Sequence, residues 1–385
     1  MRIVFTIHHE LNIDSGAPGV TMLLAQALAD RGHDVSLLSF DDLPRVDERV
    51  RALVFPLLVE RRIRKLARTG VDIIDASTGD AWVWVLRRSP GHPALVTRSH
   101  GLEHIVHDAL VAEVRRGHMA VSRRYWFYHG GLRLRQVAIS LRRADAVAFL
   151  NEDERMYAVE KLGVDPDRGA VIPHGLSPAF VGRALPADRA TSVGIAQVGS
   201  YQWRKGIVYA RRALTGVLRK HDRVHVLLLG TGTPRSSVLA DFPEDVRGRV
   251  KVLPAYERGQ LPELLEGSTI ALFPSLAEGF PLGLIESMAC GLAPVATSIP
   301  GPRDIVRQGI DGITVPPADA QALERVLDRL VIDAPLLAQL RRGALARAQE
   351  YTWSKTIDAT EALYRAVAER RPVSSARRGR GVTAE

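Results

Sequence analysis

Residues 270–291, IALFPSLAEGFPLGLIESMACG, run from a short apolar stretch through a Gly/Pro-broken loop into a second apolar stretch that carries Glu278 and Glu286. IALFPS reads as a strand, Pro281 suits a first helical turn, LGLIESMAC continues as a helix, and Gly291 stops it. A strand handed through a loop to a helix is the building unit of a parallel α/β sheet. The start of such a helix offers free N–H groups and a positive dipole end, which suit an anion, while carboxylates beside it accept hydrogen bonds from hydroxyls. A diphosphate joined to a sugar satisfies both. A plainer alternative stands beside it, in which Glu278 complements the helix dipole and Glu286 is a solvated helix residue.

Outward from this unit the same rhythm recurs. VGIAQVGS, VHVLLLGTG and VKVLPAY precede it as strands, with a helix from about Gly206, and APVATS follows it. Nearer the N-terminus, RIVFTI, the loop NIDSGAPG, the helix VTMLLAQALADRG closed by Gly32, and HDVSLLSF make a β-α-β unit. VDIIDAS, ALVTRS, ADAVAFLN and GAVIPHG continue the alternation, which predicts an α/β protein with parallel sheets covered by helices. LSPAFVGRALPADRATS, around residues 176–192, breaks the rhythm and reads as an interdomain linker. The chain thus divides into residues 1–182, residues 183–370, and a basic tail, residues 371–385, that lacks apolar periodicity and reads as disordered.

With 385 residues, 46% hydrophobic and 25% charged, the chain is long enough for two domains with substantial cores. The net charge of +9 overstates the basicity of the folded body, because Arg370, Arg371, Arg377, Arg378 and Arg380 sit in the last sixteen residues. One cysteine, Cys290, excludes an internal disulfide framework and is most simply a small core residue. MRIVFTIHHE has neither the apolar core nor the cleavage region of a secretory signal, and no stretch approaches the roughly 18 apolar residues of a membrane span. A cytoplasmic setting is expected, with contact to the inner face of a membrane left open. No short-period repeat points to a solenoid, and no recognition fold or repeated aromatic-basic pattern points to nucleic acid.

The longer segment SLAEGFPLGLIESMACGLAPVATSIPGPRDIV closely resembles the signature of retaining glycosyltransferase family four, whose hallmark is Glu-x7-Glu. The resemblance implies a GT-B architecture, two Rossmann-like domains with parallel sheets facing a central cleft, the first receiving the acceptor and the second a nucleotide-diphosphate sugar. It implies that Glu278 and the backbone of Gly279, Phe280, Pro281 and Leu282 face the donor sugar and phosphates, and that Glu286 holds the ribose. In VGSYQWRKGI, Lys205 matches the family lysine that grips the donor phosphates; Ser200 stands where the family commonly has arginine, and Arg204 is placed to substitute from the other side of the loop. His100, delivered by a strand in LVTRSHGLEHIVH, would reach the donor sugar from the first domain. Gly16 and Gly19 would lie under the donor phosphates, and Tyr256 would stack on the base, although a surface aromatic is as good a reading of it. The implied reaction moves a hexose-type sugar, with retained configuration, to a glycan, lipid-linked or small-molecule acceptor. It needs no cofactor and no metal.

Competing readings attach to several of these residues. His100, Glu103 and His104 fit H-x-x-E-H, a zinc-peptidase pattern that requires both histidines on one helical face, and Gly101 argues against a helix already established there. Gly230 and Gly232 end a strand, but Pro234 breaks a dinucleotide fingerprint. Residues 113–143 mix eight arginines with Tyr125, Trp126, Phe127 and Tyr128, a composition that fits an anionic membrane or lipid-linked acceptor as well as the outer face of a packed helix. A nucleotide-sugar-binding subunit without transferase activity is the alternative of another class.

Overall fold

The computed structural model describes residues 1–44, 47–89, 92–185 and 192–370. The first half builds a six-stranded sheet from β1 (Arg2–Thr6), β2 (Asp34–Leu38), β3 (Ile73–Ser77), β4 (Ala94–Arg98), β5 (Ala146–Phe149) and β6 (Gly169–Val171), in the order β2-β1-β3-β4-β5-β6. The second half builds another from β7 (Val193–Val198), β8 (Val224–Leu229), β9 (Val250–Leu253), β10 (Ser268–Phe273), β11 (Ala293–Thr297) and β12 (Ile313–Val315), in the order β12-β11-β10-β7-β8-β9. Every pairing is parallel. Strands β3, β4, β10 and β11 are buried at every position, because helices cover both faces, and this is why they read as unbroken apolar runs. Edge strand β2 alternates instead. The apolar runs announce each strand except β12, three residues at a sheet edge.

Each sheet contains one place where the strand order reverses direction, between β1 and β3 in the first and between β7 and β10 in the second. Helices on either side diverge at such a point and leave a crevice at the carboxyl ends of the strands, where open α/β sheets bind ligands.

The two halves are joined by paired crossings. Leu176 and Phe180 are buried with Leu284, Ile285 and Ala344 in the core of the second half, so the chain docks there several residues before the boundary expected at 182, and the start of the expected linker is packed rather than solvated. Residues 186–191 of that linker lie outside the described residues, as does the tail, 371–385. Leu176 N–H donates to the Tyr351 carbonyl at 2.9 Å, tying the outgoing crossing to the returning one. The helix Trp353–Glu369 then lies back on the first sheet, burying Ile357, Tyr364 and Val367 with Ile3, Phe5 and Leu24. Its Tyr364 hydroxyl donates to Asp75 at 2.5 Å, and Asp75 also takes the buried Arg98 guanidinium at 2.7 Å. Among the described residues, no helix is long and apolar enough to cross a membrane.

Candidate functional site

At the reversal between β7 and β10, the chain leaving β7 makes a short turn, Trp203–Lys205, and enters the helix Ile207–Lys220 through Gly206. Gly206 has φ +66° and packs onto the exit of β10, where a Cβ would come within 1.8 Å of the Pro274 carbonyl oxygen. Only glycine permits that approach. The Leu276 N–H donates to the Arg204 carbonyl at 2.8 Å, fixing the two loops together. Lys205 Nζ consequently meets Glu278 Oε1 at 2.5 Å, the Ser275 hydroxyl donates to the same oxygen at 2.8 Å, and Arg204 comes within 3.9 Å of Oε2. Arg204 therefore faces the site. Ser200 adds no charge there, and its carbonyl accepts from Gln202 N–H at 2.9 Å. Burial alone would push the Glu278 carboxyl up, but Lys205, Arg204 and Ser275 hold it below the usual carboxylate range.

The second glutamate lies on the helix Leu282–Ala289, with Pro281 buried at its start. Arg258 grips Glu286 Oε1 with two nitrogens, Nε at 2.7 Å and one terminal nitrogen. Burial pushes the Glu286 carboxyl up, and the guanidinium only partly offsets this. Glu278 and Glu286 are 8% and 4% exposed, so Glu286 is not the solvated helix residue of the plainer sequence reading. Tyr256 is not a surface aromatic either: it is half-buried, and a Cβ at Gly230 would lie 2.9 Å from its ring. Burial raises its hydroxyl to about 12.

The first half reaches this edge through three segments. Arg258 N–H donates to Asp14 Oδ1 at 3.0 Å, which brings the first glycine loop against the second half. Within that loop Gly16 is exposed at the start of the helix Gly16–Asp30, while Gly19 is buried where a Cβ would strike the Ile13 carbonyl at 2.3 Å. Second, Asn151 Nδ2 donates to the Gly279 carbonyl at 2.8 Å, and a Cβ on Gly279 would lie 2.8 Å from the Gly101 Cα. Third, His100 follows β4 and stacks on His174 at 6.3 Å, and His174 meets Phe280 edge-on at 5.8 Å. Both histidines have a buried Nδ1 without a hydrogen-bond partner. Burial, with Arg98 nearby, pushes His174 down to about 3, and burial, His174 and Arg98 push His100 well below its ordinary value, so both rings are neutral.

His100, Lys205, Arg204, Glu278, Gly279 and Phe280 thus share one junction, with Leu282 opening the helix that carries Glu286. The zinc pattern does not assemble. The helix Glu103–Arg115 begins after His100, so His100 and His104 share no helical face, and His104 turns to Tyr157 at 6.2 Å. Among the described residues, no group of three or more His, Cys, Asp or Glu side chains is placed to hold a metal ion. Residues 113–143 separate into buried members, Glu113, Arg133, Val137 and Leu141 among them, and an exposed ridge, where Phe127 and Trp126 stand out beside Arg123 and Arg124. Cys290 is buried, and burial raises its thiol to about 11. Arg258, Asn151 and His174 were not among the expected site residues. Each contacts a residue that was, across a separation of 28 or more positions.

Residues 15–180 match the family model described as Glycosyltransferase Family 4, and residues 193–333 match Glycosyl transferases group 1. A D-inositol 3-phosphate glycosyltransferase of Acidothermus cellulolyticus is 31% identical over 253 residues, covering 61% of this chain and 56% of that protein. The match therefore spans little more than half of the relative's length. Sucrose-phosphate synthase from Thermosynechococcus elongatus superposes with TM-score 0.78 at 19% identity, covering 95% of this chain and 98% of that one. HepE of Anabaena, crystallised with UDP and glucose, superposes with TM-score 0.67 at 18% identity, covering 95% of this chain and all of its own. These likenesses establish the GT-B fold.

Proposed function

Because the chain belongs to the glycosyltransferases, with a Family 4 domain followed by a group 1 domain, we propose that it moves a hexose-type sugar from a nucleotide-diphosphate donor to a hydroxyl acceptor with retention of configuration. What supports this reading most is the convergence of Lys205 and Arg204 on Glu278 at the strand-order reversal of the second sheet, in the loop that leads into the helix carrying Glu286. In the proposed complex the donor diphosphate takes over Lys205 and Arg204, whose charge stabilises the departing nucleotide in a site where water is scarce. Glu278, released from its cations, accepts from the sugar hydroxyls. Glu286 accepts from the ribose, and neutral His100 orients the sugar from the first half. The leaving phosphate receives the acceptor proton on the same face, so no general base is required. No cofactor or metal has a part in this scheme.

HepE, also crystallised with UDP-glucose, suggests that compound as the first donor to try, and the inositol-phosphate relatives suggest D-inositol 3-phosphate as the first acceptor. The protein would work in the cytoplasm, and the ridge of Trp126 and Phe127 beside Arg123 and Arg124 would carry peripheral contact with an anionic membrane. Ser200 favours a second reading, a subunit that binds the donor without transferring it, because a hydroxyl replaces the charge the family commonly places there. The test is to incubate the protein with both compounds, follow UDP release, and read the anomeric configuration of the product by NMR. Retained configuration supports transfer as proposed, an inverted product overturns retention, and UDP-glucose binding without release favours the second reading.

A further inference from the structure

Besides the three segments at the donor edge, the two halves meet through a buried carboxylate. Glu113, 3% exposed, lies in the last turn of the helix Glu103–Arg115 and takes three donors. Arg116 reaches Oε1 at 2.7 Å, His118 Nδ1 lies 3.1 Å from Oε2, and the Tyr209 hydroxyl donates to the carboxylate at 2.9 and 3.0 Å. Because the phenol proton goes to Glu113, the 2.8 Å contact between His118 Nδ1 and the Tyr209 oxygen requires the imidazole to donate, which fixes its proton on Nδ1. The two rings also meet edge-on, with centroids 5.5 Å apart. Glu113, Arg116 and His118 are near neighbours in the first half and form a socket; only Tyr209 comes from the second. Burial and Glu113 push the Tyr209 hydroxyl up to about 12, so it stays a donor.

What the socket holds is the helix that follows Lys205. Tyr209 lies in the first turn of the helix Ile207–Lys220, its N–H donating to the Gly206 carbonyl at 3.0 Å, and Gly206 comes directly after Lys205. The helix Glu103–Arg115 also packs on the turn Trp203–Lys205 itself. Its other end starts just after His100. With 13 residues at about 1.5 Å each it is roughly 20 Å long, a stiff strut from His100 to the lysine-bearing turn. Gly199 and Gly206 flank that turn, both with positive φ, so its own backbone resists displacement little and the bracing comes from what packs on it. Bracing matters there, because a cation displaced by about 1 Å from a reacting group loses much of its effect.

We propose that Glu113 and Tyr209 are positioning residues: through their hydrogen bond the first half braces the turn that carries Lys205, so the lysine grips a donor diphosphate at full strength only while the halves are tied together there. The grip on diphosphate rests on the glycosyltransferase reading; the tie between the halves does not. The test uses the full chain as native protein, Tyr209→Phe and Glu113→Gln. The first exchange keeps the ring that packs on His118 and removes only the hydroxyl; the second keeps the shape and leaves Arg116, 47% exposed, to water. Hydrogen exchange without ligand reads the tie. Tyr209→Phe, a change in the second half, is expected to speed exchange in peptides spanning residues 103–118 of the first, and Glu113→Gln to do so in peptides spanning residues 203–210. Native rates in both cases overturn the tie and the proposal with it. Titration of UDP and of uridine reads the positioning, since uridine has no phosphate for Lys205 to hold. The advantage of UDP over uridine is expected to shrink about tenfold in both variants with uridine affinity unchanged, whereas a general loss of structure lowers both affinities alike. An advantage kept at its native size, or both affinities falling together, overturns the positioning role. If the native protein binds UDP no better than uridine, the donor reading fails and the positioning role goes with it, while exchange still decides the tie.

Discussion

Arg258→Ala leaves Glu286 in place but removes the guanidinium that neutralises it. The Glu286 side chain is 5% exposed and that of Arg258 14%, so the pair is buried on both sides. Removing one partner of a buried pair costs about 3–5 kcal/mol, because the other charge is left without compensation. The lower figure, about 3 kcal/mol, suits a pair whose arginine still touches solvent, and corresponds to roughly a hundredfold in the folding equilibrium. Glu286 can escape part of this cost by binding a proton, since burial already pushes its carboxyl up and loss of Arg258 pushes it further. An acid whose folded pKa exceeds its unfolded value makes the folded state hold the extra proton, so stability falls as pH rises between those two values. Urea unfolding at about pH 5 and about pH 8 should therefore show a small deficit for Arg258→Ala at the lower pH and the full deficit at the higher one. Arg258→Ala combined with Glu286→Gln should recover most of the loss. Native stability of Arg258→Ala at the higher pH, or a deficit that Glu286→Gln leaves untouched, refutes the reasoning.

Other consequences are equally open to measurement. Tyr364→Phe removes the hydroxyl that ties the returning helix to Asp75 and should cost about 1–3 kcal/mol in urea unfolding, because the hydrogen bond is buried and its acceptor charged. His174 is held neutral by burial, with a folded pKa near 3 below an unfolded value of 6.5, so its contribution is complete above that unfolded value and is lost as pH falls. Stability should fall by up to about 1.4 kcal/mol per pH unit below roughly pH 6, and His174→Gln should flatten that slope. Phe127→Ser with Arg123→Ala and Arg124→Ala should abolish sedimentation with phosphatidylserine vesicles and leave UDP titration unaltered; sedimentation equal to the native protein's refutes the membrane ridge.

The strands were legible because burial on both faces writes itself as an apolar run, as in VDIIDAS for β3 and IALFPS for β10. β12 escaped because three residues at an edge carry no pattern. Glu278 and Glu286 were legible because both sit on one strand-loop-helix unit at a fixed spacing, and charge in an apolar setting asks for a partner. Their partners were not equally so. Lys205 and Arg204 also follow a strand into a helix, whereas Arg258 lies in a turn among Glu257, Gly259 and Gln260, where a cation looks like ordinary surface. His174 sits near the end of the run GAVIPHG, where nothing in the local pattern marks it as a site residue. His8 and Asp80 are 72 positions apart and meet only because β1 pairs with β3. What a strand order brings together, no local pattern announces.

The donor site is tested most simply by titrating UDP-glucose into the native protein, Lys205→Ala and Glu286→Ala in a calorimeter. Saturable binding to the native protein, weakened by at least about tenfold in each variant, is expected from the loss of a charged contact to the diphosphate or the ribose. Native affinity in both variants would contradict the placement of the donor at the reversal of the second sheet.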